Sequence, residues 1–131
     1  LEKDQITLIT KSADGTEKTN KATGDKKFNG EIAILVNEYT ASASEIVTGA
    51  LKDNGKAKVI GTLTYGKGVI QNVYQLLDGS VLKLTTQEYY TPNNTKINKV
   101  GIKPDYEVEI TEENIKNQFD SQLKKAEELL K

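Results

Sequence analysis

Two short runs hold the residues of this chain that could do chemistry together: Thr40-Ala41-Ser42-Ala43-Ser44-Glu45 and Thr64-Tyr65-Gly66-Lys67-Gly68. A serine hydroxyl is a weak nucleophile until a base takes its proton, and histidine, the usual base, occurs nowhere in the 131 residues. Acyl transfer here therefore requires an amine as base, and Lys67 is the candidate for Ser42. Its flanking glycines permit backbone angles that could turn the ammonium toward a sheet, where desolvation favours the neutral amine. Gln71, four residues on, could orient that amine by hydrogen bonding.

Each of these residues also has a plainer reading. Ser42 with Glu45 three positions later is a capping box, which satisfies orphan amides at the start of a helix. Both roles fit if Ser44 caps, because a serine at a strand-to-helix turn stands where helix amides favour developing negative charge. Lys67 alone reads as a solvated loop lysine. Asp53, just before Asn54-Gly55, reads as a structural carboxylate or as a supporting group near the nucleophile. Tyr74, Tyr89 and Tyr90 either line a peptide groove or pack across strands. Gly61 to Lys67 matches the first seven positions of a phosphate-binding loop, but Gly68 stands where a hydroxyl should hold magnesium. The following Val69-Ile70-Gln71-Asn72-Val73-Tyr74 reads as strand, not as the helix that would cradle phosphate.

Composition narrows the partners. Lysine plus arginine number 18 against 19 acidic residues, a net charge of −1 without a basic block, which argues against nucleic acid. The absence of cysteine and histidine excludes disulfides, thiolate nucleophiles and most transition-metal sites. No apolar run has the length of a membrane span, so no membrane contact is expected from this segment.

The elements that must position the two runs follow from patterning. Gln5 to Thr10 alternates as a strand and Ala13-Asp14-Gly15-Thr16 turns it into a hairpin. Ile32 to Val36 is a continuous apolar run that reads as the central strand. Ser44 to Asn54 is helical, with Ile46, Val47, Ala50 and Leu51 at helical spacing and Gly55 as its stop. Lys58 to Gly61 follows as a strand, so a parallel crossover and an α/β core are expected. Val69 to Leu77 and Val81 to Tyr90 flank the hairpin dipeptide Asp78-Gly79. Pro104 keeps residues 100–110 extended, and Ile115, Phe119, Leu123, Ala126 and Leu130 form one face of a C-terminal surface helix. Nothing in the sequence marks a domain boundary.

The segment from Ile34 to Gln71 resembles the carboxyl-terminal processing peptidases, also called tail-specific proteases. Their hallmark is a serine-rich strand-to-helix turn followed by a Tyr/Phe-Gly-Lys-Gly loop. The resemblance implies that Ser42 is the nucleophile, that Lys67, 25 positions on, is its base, and that Gln71 positions the lysine. It further implies an oxyanion donor in the Ala43 amide, and Asp53 matches a carboxylate associated with activity in some members. The implied fold is a crotonase/Clp-protease-like α/β core with added hairpins and a C-terminal helix. Implied partners are protein or peptide substrates with exposed C-terminal tails, with no cofactor or metal, in an extracytoplasmic setting. The family's peptide-binding PDZ domain and its Asp-Leu-Arg and Gly-Gly motif do not occur within residues 1–131, and Gly24 and Gly30 stand in another context. The chain is thus expected to be one domain, the carboxyl-terminal part of a catalytic domain, with little cleavage of its own. The competing expectation is a non-catalytic module of the same fold that binds a peptide or partner.

Overall fold

A computed structural model describes residues 1–25 and 28–131. Within them the chain forms β1 (Ile6–Ser12), β2 (Glu17–Lys21), β3 (Ala33–Val36), α1 (Ala43–Asp53), β4 (Lys58–Gly61), β5 (Val69–Gln75), β6 (Val81–Tyr90), β7 (Tyr106–Glu107), α2 (Glu112–Lys116) and α3 (Ser121–Leu129). This is a mixed α/β architecture of two sheets. One is antiparallel in the order β2-β1-β6-β5, and the other is parallel in the order β3-β4-β7.

The expected strand, helix, strand unit is present: β3 pairs in parallel with β4, from Ala33 opposite Lys58 to Val36 opposite Gly61, with α1 between them in sequence. The expected central strand is not. Ile32 to Val36 does not occupy the middle of the sheet; β4 does, with Val59, Ile60 and Gly61 all buried while Leu35 of β3 stays exposed. An apolar run alone cannot tell an edge strand from a central one, because partners on the outer side are a matter of tertiary structure. Gly61 is fixed by close approach: a Cβ there would fall 1.8 Å from the Val36 carbonyl oxygen.

The helix stop at Gly55 forms as read. Gly55 has φ 64°, its N–H donates to Lys52 O at 2.9 Å, and Lys56 N–H reaches back to Leu51 O at 2.8 Å. At the other end Ser42 is the cap residue and Ser44 lies inside the helix, so the assignment of the cap to Ser44 is corrected. The single C-terminal helix is corrected as well. Gln118 adopts φ 52° and Asp120 caps a new helix through its carboxylate, which accepts from Leu123 N–H at 2.8 Å, so α2 and α3 are separate. The apolar spacing from Ile115 to Leu130 spans the break and conceals it. Both hairpins form, β1 with β2 and β5 with β6.

One hydrophobic core cluster is Tyr89, Ile97 and Ile102, with Leu8, Ile46 and Ile70 packed against it. It joins the antiparallel sheet to α1 and to the segment 91–102. Glu88 ties that segment down by accepting from Lys96 Nζ at 2.8 Å and Asn98 Nδ2 at 2.8 Å. The Lys96 hydrogen bond, then that of Asn98, hold the Glu88 carboxyl below its ordinary value of 4.5. A depressed carboxyl stabilises the fold above that ordinary value, and the contribution disappears as pH falls through the lower folded value. Unfolding titrations from pH 6 to pH 3 are therefore expected to lose a small increment of stability at the acid end that a Glu88→Gln variant never has. An identical acid dependence in the variant would contradict this.

Candidate active site

The site lies at the carboxyl ends of β3 and β4, where the chain leaves each strand for a loop. After β3, Asn37 organises the turn: its side-chain oxygen accepts from Tyr39 N–H at 3.0 Å and its carbonyl from Thr40 N–H at 2.9 Å. The chain then enters α1 through Ser42 at φ 57° and ψ −118°. That region is sparsely populated for any residue with a Cβ and costs about 1–3 kcal/mol, so the surrounding contacts must enforce it.

Glu45 supplies that enforcement. Its side chain is 0% exposed, and its two oxygens accept four hydrogen bonds. Oε2 takes Ser42 N–H at 2.9 Å and Lys67 N–H at 2.9 Å. Oε1 takes Thr64 Oγ1–H at 2.5 Å and Gly66 N–H at 2.7 Å. Since Ser42 N and Lys67 N share one oxygen, they are no farther apart than twice that 2.9 Å bond. The Glu45 half of the capping box, its bond to Ser42 N–H, was legible in the sequence. That the same carboxylate would also gather the lysine loop was not, because its other donors lie 19 to 22 positions away.

The lysine loop is held from its other side too. Tyr65 N–H donates to Thr40 O at 2.9 Å, Lys99 N–H to Gly66 O at 2.8 Å, and Ile102 N–H to Thr64 Oγ1 at 2.7 Å. Both glycines around Lys67 are required by this packing. Gly66 has φ 84°, and a Cβ on Gly68 would lie 2.3 Å from Asn98 N. The unusual backbone expected of Gly-Lys-Gly is therefore real, but the Lys67 side chain is exposed and makes no hydrogen bond or ion pair among the described residues.

Of the other residues singled out, Ala43 is adjacent to the nucleophile candidate. As the first residue of α1 its N–H has no intrahelical partner, and no acceptor among the described residues claims it. Gln71 is exposed on β5 and donates from Nε2 to Thr85 Oγ1 at 3.3 Å across the ladder. Asp53 sits at the far end of α1, about 16 Å along an 11-residue helix. Its carboxylate accepts from Asn93 N–H at 2.9 Å, which anchors the turn after β6. The geometry thus gathers Ser42, Ala43, Glu45 and the Lys67 backbone, and leaves Asp53 apart. Tyr89, read as a groove or packing residue, is buried and places its hydroxyl 3.2 Å from Ser42 Oγ. The position in β6 gives no sequence signal of that contact. Among the described residues no group of acidic side chains is arranged to hold a metal.

Residues 1–108 match the family described as Peptidase family S41. The chain belongs to that family. A carboxyl-terminal-processing protease from Picosynechococcus sp. is 44% identical over 103 residues, which is 78% of this chain and 25% of the relative. The chloroplastic carboxyl-terminal-processing peptidase 2 of Arabidopsis thaliana is 59% identical over 75 residues, 57% of this chain and 15% of the relative. Among solved structures, a photosystem II D1 C-terminal processing protease superposes with a TM-score of 0.78 at 36% identity, covering 83% of this chain and 28% of that one. A protein from Parabacteroides merdae described as a putative peptidase superposes with a TM-score of 0.78 at 22% identity, covering 99% of this chain and 44% of that one, a likeness of fold alone. The S41 chain spans between 15% and 25% of the length of these curated relatives.

Proposed function

We propose that this chain carries the Ser-Lys centre of a serine endopeptidase that cleaves proteins near their C-terminal tails, on a crotonase/Clp-protease-like core. The observation that carries the reading is the buried Glu45 carboxylate, whose single oxygen Oε2 holds the backbones of both Ser42 and Lys67. No capping role requires the second of these bonds.

In this reading Ser42 Oγ attacks the scissile carbonyl carbon while its proton passes to the Lys67 amine. The carbonyl π pair moves onto oxygen, and the Ala43 N–H donates to that oxyanion. Collapse breaks the C–N bond, and the Lys67 ammonium returns its proton to the leaving amine. Water then attacks the acyl carbon as the Lys67 amine takes its proton. Collapse breaks the C–Oγ bond while the Lys67 ammonium returns that proton to Ser42 Oγ, releasing the carboxylic acid. Gln71 orients Lys67 once it exchanges its Thr85 partner, and Asp53 supports the site only by holding the far end of α1. A cleft of about 760 Å³ beside Thr64 and Tyr65, lined also by Glu38, Leu63 and Ile110, gives an extended peptide room at the same sheet edge. We read the chain as the carboxyl-terminal part of a catalytic domain working outside the cytoplasm, as the family resemblance implies.

The exposed Lys67 amine is the observation that favours the alternative, a binding module of the same fold. One experiment separates them. The protein as its gene encodes it is incubated with an unstructured protein substrate, and the products are mapped by mass spectrometry. Cuts clustered toward the substrate's C-terminus are expected. Binding without cleavage would support the module, and cuts spread evenly along the substrate would contradict tail selection.

A further inference from the structure

Ser42 Oγ has a partner that the steps above do not use. The Tyr89 phenol oxygen lies 3.2 Å away, and the residue is only 4% exposed. Its ring packs in one cluster with Ile97 and Ile102, against which Leu8, Ile46 and Ile70 also pack. Its backbone is fixed as well, opposite Thr10 in the β1–β6 ladder and donating from N–H to Gly68 O at 3.0 Å. Tyr89 therefore touches the serine turn with its side chain and the lysine loop with its main chain. A buried tyrosine hydroxyl needs some partner, but that need does not explain why the partner is the strained residue at φ 57°.

We propose that Tyr89 is a positioning residue for the nucleophile, donating its phenolic hydrogen to Ser42 Oγ; this rests on reading Ser42 as the nucleophile. The direction follows from counting. Ser42 has one proton, which goes to Lys67, and two lone pairs, of which one attacks. The other accepts from Tyr89, because the Glu45 N–H donates to the Ser42 carbonyl at 2.9 Å and Oγ makes no cap hydrogen bond. A phenol held in a packed core and aimed at that second lone pair fixes the serine rotamer. It also stabilises the negative charge that gathers on Oγ as the proton leaves. The reverse arrangement would point the serine proton away from the lysine and add a bond to be broken before attack. Tyr89 forms and breaks no covalent bond and ends each cycle unchanged.

The test uses a fluorophosphonate probe on the protein as encoded: Oγ attacks phosphorus, the P–F bond breaks, fluoride leaves and the serine proton goes to Lys67. Labelling rates are compared for the unaltered protein, Ser42→Ala, Tyr89→Phe and a variant with para-aminophenylalanine at position 89, at a temperature where all are folded. Ser42→Ala is expected to take no label, and Tyr89→Phe to react about tenfold more slowly, the upper end of what one ordinary hydrogen bond contributes. The para-amino group, which restores a donor at the same place, is expected to recover most of that rate. Tyr89→Phe reacting at the unaltered rate while Ser42→Ala stays silent would overturn the role of Tyr89 alone. Equal slowing in both position-89 variants would show packing rather than donation, and would overturn it too. Failure of the unaltered protein to label at Ser42 would overturn this proposal and the nucleophile reading together.

Discussion

A Glu45→Ala protein is expected to lose about 4 kcal/mol of folding stability, a large share of the roughly 5–15 kcal/mol that keeps a domain folded. Alanine leaves the Thr64 hydroxyl and Gly66 N–H without an acceptor in a buried setting, and Ser42 N–H and Lys67 N–H without one at its margin. Each buried donor left unmade costs about 1–3 kcal/mol, and the cavity adds to that. Glu45→Gln keeps the volume but puts an amide NH₂ where one oxygen stood. Either orientation deprives two donors of their acceptor and points hydrogens at hydrogens, so about half the alanine loss is expected. Chemical unfolding of the protein as encoded measures both. A Glu45→Ala variant within about 1 kcal/mol of the unaltered protein would show that the carboxylate does not hold the two loops together.

Glu45 also marks where sequence reading stopped. Its bond to Ser42 N–H is local, three residues away, and the capping pattern announces it. Its bonds to Thr64, Gly66 and Lys67 depend on β4 returning the chain parallel to β3, so that two loops emerge at one sheet edge. Spacing along the chain carries no record of that return. The spacing between Ser42 and Lys67 became informative only through family resemblance, and the S41 match over residues 1–108 supports that resemblance independently.

The same division runs through the fold. The β5–β6 hairpin was legible because Asp78-Gly79 marks a turn, but the loop that forms is longer than the two residues expected: β5 ends at Gln75, Gly79 N–H closes onto Leu76 O at 3.0 Å, and in that loop Gly79 alone has a positive φ. The middle position of β4 was hidden, because it depends on β7, a two-residue strand that no pattern announces. Likewise the break between α2 and α3 rests on one positive φ at Gln118 and one cap at Asp120, both compatible with the continuous apolar spacing around them. Tyr89 was visible as a strand aromatic. Its reach to Ser42, 47 positions away, was not.

The reading of Ser42 and Lys67 as one chemical unit predicts the largest effect in this protein. Without the serine there is no atom to bond the acyl group, and without the amine nothing takes the serine proton, so either change should remove nearly all nucleophilic catalysis. Groups that act as a unit are strongly non-additive, and what survives is the smaller contribution of substrate binding and oxyanion stabilisation. The decisive measurement is the cleavage rate of an unstructured protein substrate by the protein as encoded, by Ser42→Ala, by Lys67→Ala and by the double variant, each confirmed folded. Each single change is expected to slow cleavage by about 10⁴-fold or more, and the double variant to be no slower than the singles. A single variant cleaving at the unaltered rate, or a double variant whose loss is the product of the two single losses, would contradict the account.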